Sequence, residues 1–164
     1  MIRTLAIGIL STFFLACEKL PAPVVPNPPQ EEQKEGNADE KETTMPETIK
    51  ITVSGKTLPV KIEDNKATRA LVAALREASI TYEAHDYGGF EKVGALGCTL
   101  PSSDTQITTQ AGDVILYSSN QIVLFYGSNS WSYTRLGKIQ YDSLDELKSF
   151  LKAGKGDISV TLAL

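Results

Sequence analysis

Short blocks of apolar residues alternate with polar positions along most of the chain, and the pattern is strongest between residues 111 and 139. Val114–Tyr117 and Ile122–Tyr126 are two apolar runs separated by four polar residues. Runs this apolar are typical of strands buried inside a sheet. A loop rich in Ser, Asn and Gly, residues 127–133, follows directly and holds the only tryptophan, Trp131. Because such a loop stays near water, the sequence predicts a functional site where the strands meet the loop.

The domain around this stretch is predicted to be mainly β and to extend over residues 49–164. Alternating apolar positions predict a first hairpin over 49–62 and a last strand over 158–162. Helical spacing of apolar residues predicts one helix after Asp64-Asn65 and a second that begins with a capping box at Ser143. Since about eight strands occur without regular βαβ alternation, we expect a closed, mainly antiparallel barrel with two helices over its open ends.

Two further strands are predicted in the middle of the domain, at residues 79–84 and 93–100. The segment between them, 85–92, is predicted to be irregular. Its adjacent glycines, Gly88-Gly89, allow positive φ angles or a close backbone approach. Cys98 lies among small and apolar residues, which favours a position in the core over a reactive thiol.

The first 48 residues differ from the domain in composition. Residues 1–17 combine a positive start, a short apolar segment and a small-residue end, which predicts a secretory signal. Cys17 follows Leu15-Ala16 as the lipidated cysteine of lipoprotein signals does, so we expect lipidation of Cys17. An ordinary signal peptide with an incidental cysteine is the alternative. Residues 18–48 hold six of the eight prolines and many charged residues, which predicts a disordered tether.

Charge is distributed unevenly between the tether and the domain. Residues 18–48 carry eight acids and three bases, residues 49–164 carry twelve of each, and the whole chain has a formal net charge of −4. Affinity for nucleic acid comes largely from basic side chains that neutralise phosphates. A neutral domain on an acidic tether therefore predicts no nucleic-acid partner, and it leaves the lipid anchor as the contact with a membrane.

Motifs for catalysis or cofactor binding are weak. His85-Asp86 suggests a base and its orienting carboxylate, but neighbours in sequence rarely form such a pair in space. Residues 149–152 match a Ser-x-x-Lys pattern without the companion motifs of penicillin-binding enzymes. One histidine and one free cysteine make a zinc site improbable, and residues 94–97 lack the spacing of a phosphate-binding loop. The sequence therefore predicts no catalytic residue, metal or cofactor.

Four segments resemble the bacterial cyclophilin-like families more closely than the prolyl isomerases of the same fold. They are LPVKI at 58–62, YGGFEKVG at 87–94, GDVILY at 112–117 and IVLFYGSNSWSYTRLGKI at 122–139. The resemblance implies a cyclophilin-like closed antiparallel β-barrel. It also implies an exported protein of the bacterial cell envelope, on the periplasmic or outer-membrane face, with no agreed activity. Some members are joined to flavodoxin-type domains, so a flavodoxin-type partner is implied by analogy.

The prolyl isomerases of this fold use an Arg on a barrel strand, beside an apolar pocket with Phe and His. An Arg hydrogen-bonded to the prolyl nitrogen weakens the partial double bond, whose rotation barrier is about 18–20 kcal/mol. The corresponding strand here reads Phe90-Glu91-Lys92 where a Phe-His-Arg order is expected. Lys lacks the planar fork of Arg, and His85 lies outside the segment. The resemblance therefore implies a barrel without the isomerase's catalytic set.

The remaining candidate is a binding site in which aromatic rings lie beside polar or backbone-exposing groups, as they do in ligand pockets. The predicted ligand-binding residues are Tyr87, Gly88, Gly89, Phe90, Glu91, Tyr126, Asn129, Ser130, Trp131, Tyr133 and Arg135. We expect them to line one concave patch, with Trp131 or Tyr133 as the apolar wall and Asn129 and Arg135 as hydrogen-bond donors. Alternatively, Arg135 pairs with Glu91 or another acid and Trp131 belongs to the core.

These features favour a binding module for a small molecule or a peptide. One alternative is an enzyme that uses the same pocket, either a residual prolyl isomerase or an unrecognised hydrolase. The other is a purely structural or assembly role.

Overall fold

The first predicted hairpin forms as its alternating pattern requires, and it fixes one side of a barrel. In the computed structural model, which describes residues 44–164, β1 (Thr48–Val53) pairs antiparallel with β2 (Lys56–Ile62). Ser54 and Gly55 form the two-residue turn with φ angles of 50° and 80°. Positive φ at both turn residues matches the right-handed twist of the strands.

Seven more strands and two helices complete the described part of the chain. In order they are α1 (Lys66–Glu77), β3 (Ile80–Tyr87), β4 (Glu91–Ala95), β5 (Thr105–Thr108), β6 (Asp113–Tyr117), β7 (Gln121–Phe125), β8 (Ser130–Ile139), α2 (Leu144–Phe150) and β9 (Ile158–Ala163). The strand order is β2-β1-β9-β3-β4-β7-β6-β8, and β8 pairs back onto β2. The predicted closed antiparallel barrel of eight strands with two helices is therefore confirmed, and β5 is an extra strand on β8.

The barrel closes at a point where backbone meets backbone. Gly137 of β8 lies opposite Ile62 of β2. A Cβ at Gly137 would collide with the carbonyl oxygen of Lys61. Only glycine therefore lets the two strands approach closely enough to pair without a shift of the backbone.

Both helices begin at the predicted caps. The Asn65 side chain accepts a hydrogen bond from the Thr68 amide at 3.0 Å, and its amide donates to the Arg135 carbonyl oxygen at 2.8 Å. Ser143 accepts from the Glu146 amide at 3.2 Å, while the Glu146 carboxylate reaches Asp142 rather than the Ser143 backbone. The Asn65 bonds tie α1 to the barrel as well as capping it. Neither helix in residues 44–164 is long and apolar enough to cross a membrane.

Apolar side chains form two clusters on opposite faces of the sheet. The larger cluster fills the barrel and includes the buried faces of the helices, with Leu71 and Leu147 fully buried. The smaller outer cluster consists of Ile115, Val123, Phe125 and Tyr133, with Phe90, Val93 and Ile107 packed against it. Because successive strand residues point to opposite faces, the apolar hairpin β6–β7 contributes to both clusters. This explains why its sequence is continuously apolar.

Four local expectations differ from the structure. The predicted loop over residues 127–133 ends early, because β8 already begins at Ser130. β3 continues through Tyr87, so His85 lies on a strand and not in an irregular segment. β4 ends at Ala95, because Gly97 takes a φ of 82° and the chain turns away from the sheet. Cys98 is exposed between buried Leu96 and Leu100, and its predicted core position is wrong.

The N-terminal end of the described residues is in contact with the domain. Met45 packs against the core, and the Glu47 carbonyl oxygen accepts a hydrogen bond from the Ile62 amide at 3.0 Å. The predicted signal, its Cys17 and the tether up to residue 43 lie outside the described residues.

Candidate functional site

A cavity of about 440 Å³ opens on the outer face of the barrel, beside the smaller apolar cluster. It lies across strands β3, β4, β7, β6 and β8, and its volume is within the usual range of ligand pockets. Its lining residues are His85, Tyr87, Glu91, Val93, Tyr117, Gln121, Val123, Asn129, Trp131 and Tyr133.

Strand register brings these side chains together. His85 of β3 lies beside Val93 of β4, and Val93 lies beside Val123 of β7. Two residues along, Tyr87 faces Glu91. Because side chains alternate across a strand, all of these residues point to the outer face, and residues between them point to the barrel interior.

Aromatic rings form the walls of the cavity. Tyr87, Tyr117 and Trp131 are 63%, 36% and 56% exposed, which is unusual for large apolar rings in neighbouring positions. Tyr133 is buried and packs edge-on against Tyr117 and Phe125, each at 5.9 Å between ring centroids. The buried ring of Tyr133 thus packs against the exposed ring of Tyr117 and the buried ring of Phe125.

Glu91 places a carboxyl group in this aromatic surrounding. The residue is 5% exposed, and its Oε2 has no hydrogen-bond partner in the part of the chain that the structure describes. Burial raises the pKa of Glu91 to about 7, because the charged form loses its hydration. Buried polar atoms are almost always hydrogen-bonded, so the unpartnered oxygen is a feature that needs an explanation.

Asn129 and Tyr133 complete the polar side of the cavity. The Asn129 side-chain amide donates to the Tyr133 hydroxyl at 3.0 Å, and its Oδ1 accepts from the Ser130 amide at 2.9 Å. Burial raises the pKa of Tyr133, and the Asn129 hydrogen bond opposes that rise. Asn129 is therefore held in place by internal bonds, and it positions the Tyr133 hydroxyl.

Lys92 lies on the opposite face of the same strand and is fully buried. Its Nζ is 2.8 Å from Asp86 Oδ1 and donates to the Gly156 carbonyl oxygen. Asp86 also accepts from the Tyr126 hydroxyl and from the amides of Gly154 and Gly156. Burial alone would raise the pKa of Asp86, but the bonds from Lys92, Gly154, Tyr126 and Gly156 outweigh it and lower the pKa to about 2.

A family model described as the cyclophilin-like family matches residues 51–163. The chain belongs to the cyclophilin-like family. No curated protein sequence matches it.

Two solved structures are similar to this cyclophilin-like chain in fold. One is the solution structure of a hypothetical protein from Archaeoglobus fulgidus, at 17% identity and a TM-score of 0.48, covering 71% of this chain and 92% of that one. The other is McbB in complex with tryptophan, at 11% identity and a TM-score of 0.47, covering 70% of this chain and 44% of that one.

Five of the predicted binding residues line the outer cavity of the cyclophilin-like barrel, namely Tyr87, Glu91, Asn129, Trp131 and Tyr133. Phe90 stacks on Phe125 at 6.3 Å, and Tyr126 is buried with its hydroxyl on Asp86. Gly88 and Gly89 form the β3–β4 turn, with φ angles of 59° and 77°, and Ser130 bonds Thr108. These residues shape the surroundings of the cavity without lining it.

Arg135 does not join the others. Its guanidinium lies 3.0 Å from Asp113 and 3.8 Å from Glu63, and it lines a separate cavity of about 190 Å³. The alternative in which Arg135 pairs with an acid therefore describes its position. Trp131, by contrast, is exposed and not part of the core.

Sequence reasoning missed five lining residues: His85, Val93, Tyr117, Gln121 and Val123. The available signal was the two-residue alternation, which places Val93 on the same face as Glu91 once Glu91 is assigned to the site. His85 and Asp86 point to opposite faces of β3, so they do not form a base–carboxylate pair. Within residues 44–164, no group of three or more His, Cys, Asp or Glu side chains is arranged to hold a metal ion.

Proposed function

We propose that this cyclophilin-like domain is a binding module for a small molecule or a peptide, and that the outer cavity is its binding site. The observation that carries the proposal is the set of exposed rings, Tyr87, Tyr117 and Trp131, around a cavity of about 440 Å³. Exposed aromatic side chains beside a few polar groups are typical of binding surfaces. A purely structural role would leave their exposure unexplained.

Binding without prolyl isomerisation is the second part of the proposal. For a peptide bound in the outer cavity, isomerisation would need a hydrogen-bond donor directed from the cavity wall at the prolyl nitrogen. The strand places a carboxyl group, Glu91, on that face and turns Lys92 inward, where its Nζ already binds Asp86 and Gly156. Neither side chain is therefore suited to the task of the isomerase arginine.

We further propose that a lipid on Cys17 anchors the domain in the bacterial cell envelope, with residues 18–48 as the connecting segment. A flavodoxin-type domain is the proposed partner by family analogy. The support is the position of Cys17 directly after Leu15-Ala16 at the end of a short apolar segment.

Labelled palmitate tests the anchor. The wild-type protein should incorporate the label in a bacterial host, and Cys17→Ser should not, because acylation needs the cysteine thiol. The matched control is Cys98→Ser, which removes the other cysteine of the chain and should keep the label. Equal labelling of wild type and Cys17→Ser would contradict the anchor.

Trp131 tests the binding site. Trp131→Ala should change the free energy of unfolding by less than about 1 kcal/mol, because an exposed ring contributes little to packing. Phe125→Ala, at a fully buried position in the adjacent cluster, should cost about 3–5 kcal/mol. Urea denaturation followed by circular dichroism gives both values. If Trp131→Ala is as destabilising as Phe125→Ala, the ring has a structural role.

The same tryptophan reports on ligands, since it is the only one in the chain. Benzylammonium, benzyl alcohol and benzoate at millimolar concentration represent positive, neutral and negative aromatic ligands. At least one of them should change Trp131 emission in a saturable way and shift the amide resonances of cavity residues. Failure of all three to do so would contradict a small-molecule site.

A further inference from the structure

We infer that the outer cavity selects organic cations that carry an N–H donor, and that Glu91 binds the ammonium group of the ligand. This inference rests on the proposed binding function and adds the chemical class of the ligand. Its starting point is the Glu91 carboxyl group, which is 5% exposed and lines the cavity with Oε2 unpartnered among the described residues. A buried carboxylate is unfavourable unless it is paired and hydrogen-bonded.

No Lys or Arg in the described part of the cavity lining is available to pair with Glu91. Among the described residues that line the cavity, Glu91 is the only acid and none is Lys or Arg. Lys92, its neighbour in sequence, points to the other face of the sheet and is bound to Asp86 and to the Gly156 carbonyl oxygen. A cation supplied by a ligand would therefore meet an uncompensated carboxylate.

The aromatic walls favour the same sign of charge. Tyr87, Tyr117, Trp131 and Tyr133 surround the cavity. The face of an aromatic ring carries partial negative charge and attracts ammonium and guanidinium groups. An anionic ligand would instead meet both the ring faces and the Glu91 carboxylate.

The hydrogen bond narrows the ligand class further. A quaternary ammonium group can lie against aromatic rings, but it has no N–H to donate to the Glu91 carboxylate. A primary ammonium group supplies three donors and a full charge. Hydrogen bonds between charged partners are shorter and stronger than those between neutral partners. We therefore assign primary alkylammonium or arylalkylammonium groups to the site.

The titration of Glu91 supports this class. The ionisable groups that line the cavity with Glu91 are His85 and Tyr87 on β3, Tyr117 on β6 and Tyr133 on β8, and Tyr126 lies near enough to interact with it electrostatically. Burial raises the pKa of Glu91 to about 7 and also raises the pKa of Tyr126 to about 12, so the carboxyl group changes charge near neutrality while Tyr126 stays neutral. An ammonium ligand prefers the ionised carboxylate. Its affinity should therefore rise about tenfold between pH 6 and pH 8.

The experiment measures dissociation constants of the full chain by Trp131 fluorescence for benzylammonium and for its neutral analogue, benzyl alcohol. Wild type should prefer benzylammonium at least tenfold at pH 8. Glu91→Gln, which keeps the shape of the side chain and removes its charge, should lose that preference. The matched control is Glu83→Gln, an exposed position on β3 outside the cavity lining, and it should retain the preference.

Two further measurements make the result specific. Benzyltrimethylammonium should bind wild type at least tenfold more weakly than benzylammonium, because it cannot donate to Glu91. His85→Asn should keep the pH dependence, because the ligand pairs with the Glu91 carboxylate and not with His85. An equal affinity for the two cations, or a pH dependence that disappears with His85 and persists in Glu91→Gln, would overturn the assignment to Glu91.

The outcomes separate this inference from the proposed function. If benzyl alcohol or benzoate binds as tightly as benzylammonium, the binding module stands and the cation selectivity is refuted. If none of the ligands binds, both are refuted. If a blocked Gly-Lys-Gly peptide binds more tightly than benzylammonium, the ammonium group comes from a lysine side chain. If benzylammonium binds more tightly, it comes from a free amine. Either result supports the inference.

Discussion

Replacing Lys92 with methionine should lower the free energy of unfolding by about 3–5 kcal/mol, because it removes one partner of a buried ion pair. Lys92 is fully buried, with its Nζ 2.8 Å from Asp86 and hydrogen-bonded to the Gly156 carbonyl oxygen. Methionine fills most of the volume but donates nothing. Asp86 would keep only its bonds from Tyr126 and from two backbone amides.

Urea denaturation of wild type and Lys92→Met measures this loss. The control is Lys148→Met on the exposed side of α2, which should change the free energy of unfolding by less than about 0.5 kcal/mol. Binding of probe ligands in the outer cavity should survive in the folded Lys92→Met protein, because Lys92 lies on the other face of β4. An unchanged stability would contradict the structural role.

The same variant bears on catalysis. The wild-type domain should accelerate cis–trans exchange of a prolyl peptide little, if at all, so Lys92→Met has no activity to lose. A clear wild-type rate that falls in Lys92→Met, under conditions where the variant is folded, would make Lys92 a substitute for the isomerase arginine. That result would require the inner network of Asp86 and Gly156 to open during turnover.

The barrel itself could be predicted because its signals are local. Two-residue alternation at 49–62 and 158–162 marks strands with one buried face, and Asn65 and Ser143 mark the first turns of two helices by satisfying free backbone amides. These signals depend only on near neighbours in the chain. They therefore survive in the folded protein.

The site was only partly predictable because it depends on register between distant strands. The tryptophan beside a polar stretch of the sequence predicted the region in which the outer cavity lies. Arg135 lies two residues after Tyr133 on the same strand and was predicted to line the same concave patch. Its guanidinium lies 3.0 Å from Asp113 and lines the second cavity, of which Tyr133 is also a lining residue. Nothing local in the sequence signals that ion pair.

The free energy of unfolding of wild type should fall by about 3 kcal/mol between pH 4.5 and pH 7, and that of Glu91→Gln should not. The folded state raises the pKa of Glu91 from 4.5 to about 7, so it holds the proton more tightly than the unfolded chain does. A group of this kind contributes stability that is fully present below pH 4.5. That contribution is lost as the pH rises through 7, where the buried carboxyl group must ionise.

The measurement is urea denaturation at a series of pH values for wild type, Glu91→Gln and Glu83→Gln. The free energy of unfolding of Glu91→Gln minus that of wild type should increase from pH 4.5 to pH 7. It should stay constant outside that range. Glu83→Gln makes the same chemical change at an exposed position and should run parallel to wild type. A constant difference across the whole range would mean that Glu91 ionises in the folded state as freely as in water.

Repeating the pH series with saturating benzylammonium tests whether a ligand cation pairs with ionised Glu91. A cation that pairs with ionised Glu91 stabilises the folded state by mass action. This stabilisation should be greatest above pH 7, where the buried carboxyl group is ionised and has no other partner for its charge among the described residues. The wild-type stability lost between pH 4.5 and 7 should then be largely restored by benzylammonium and not by benzyl alcohol. Because Glu91→Gln lacks the carboxylate, benzylammonium should stabilise it no more than benzyl alcohol does. In the proposed site, the Glu91 carboxyl group would lower the stability of the free domain at neutral pH, and an ammonium ligand would recover that free energy on binding.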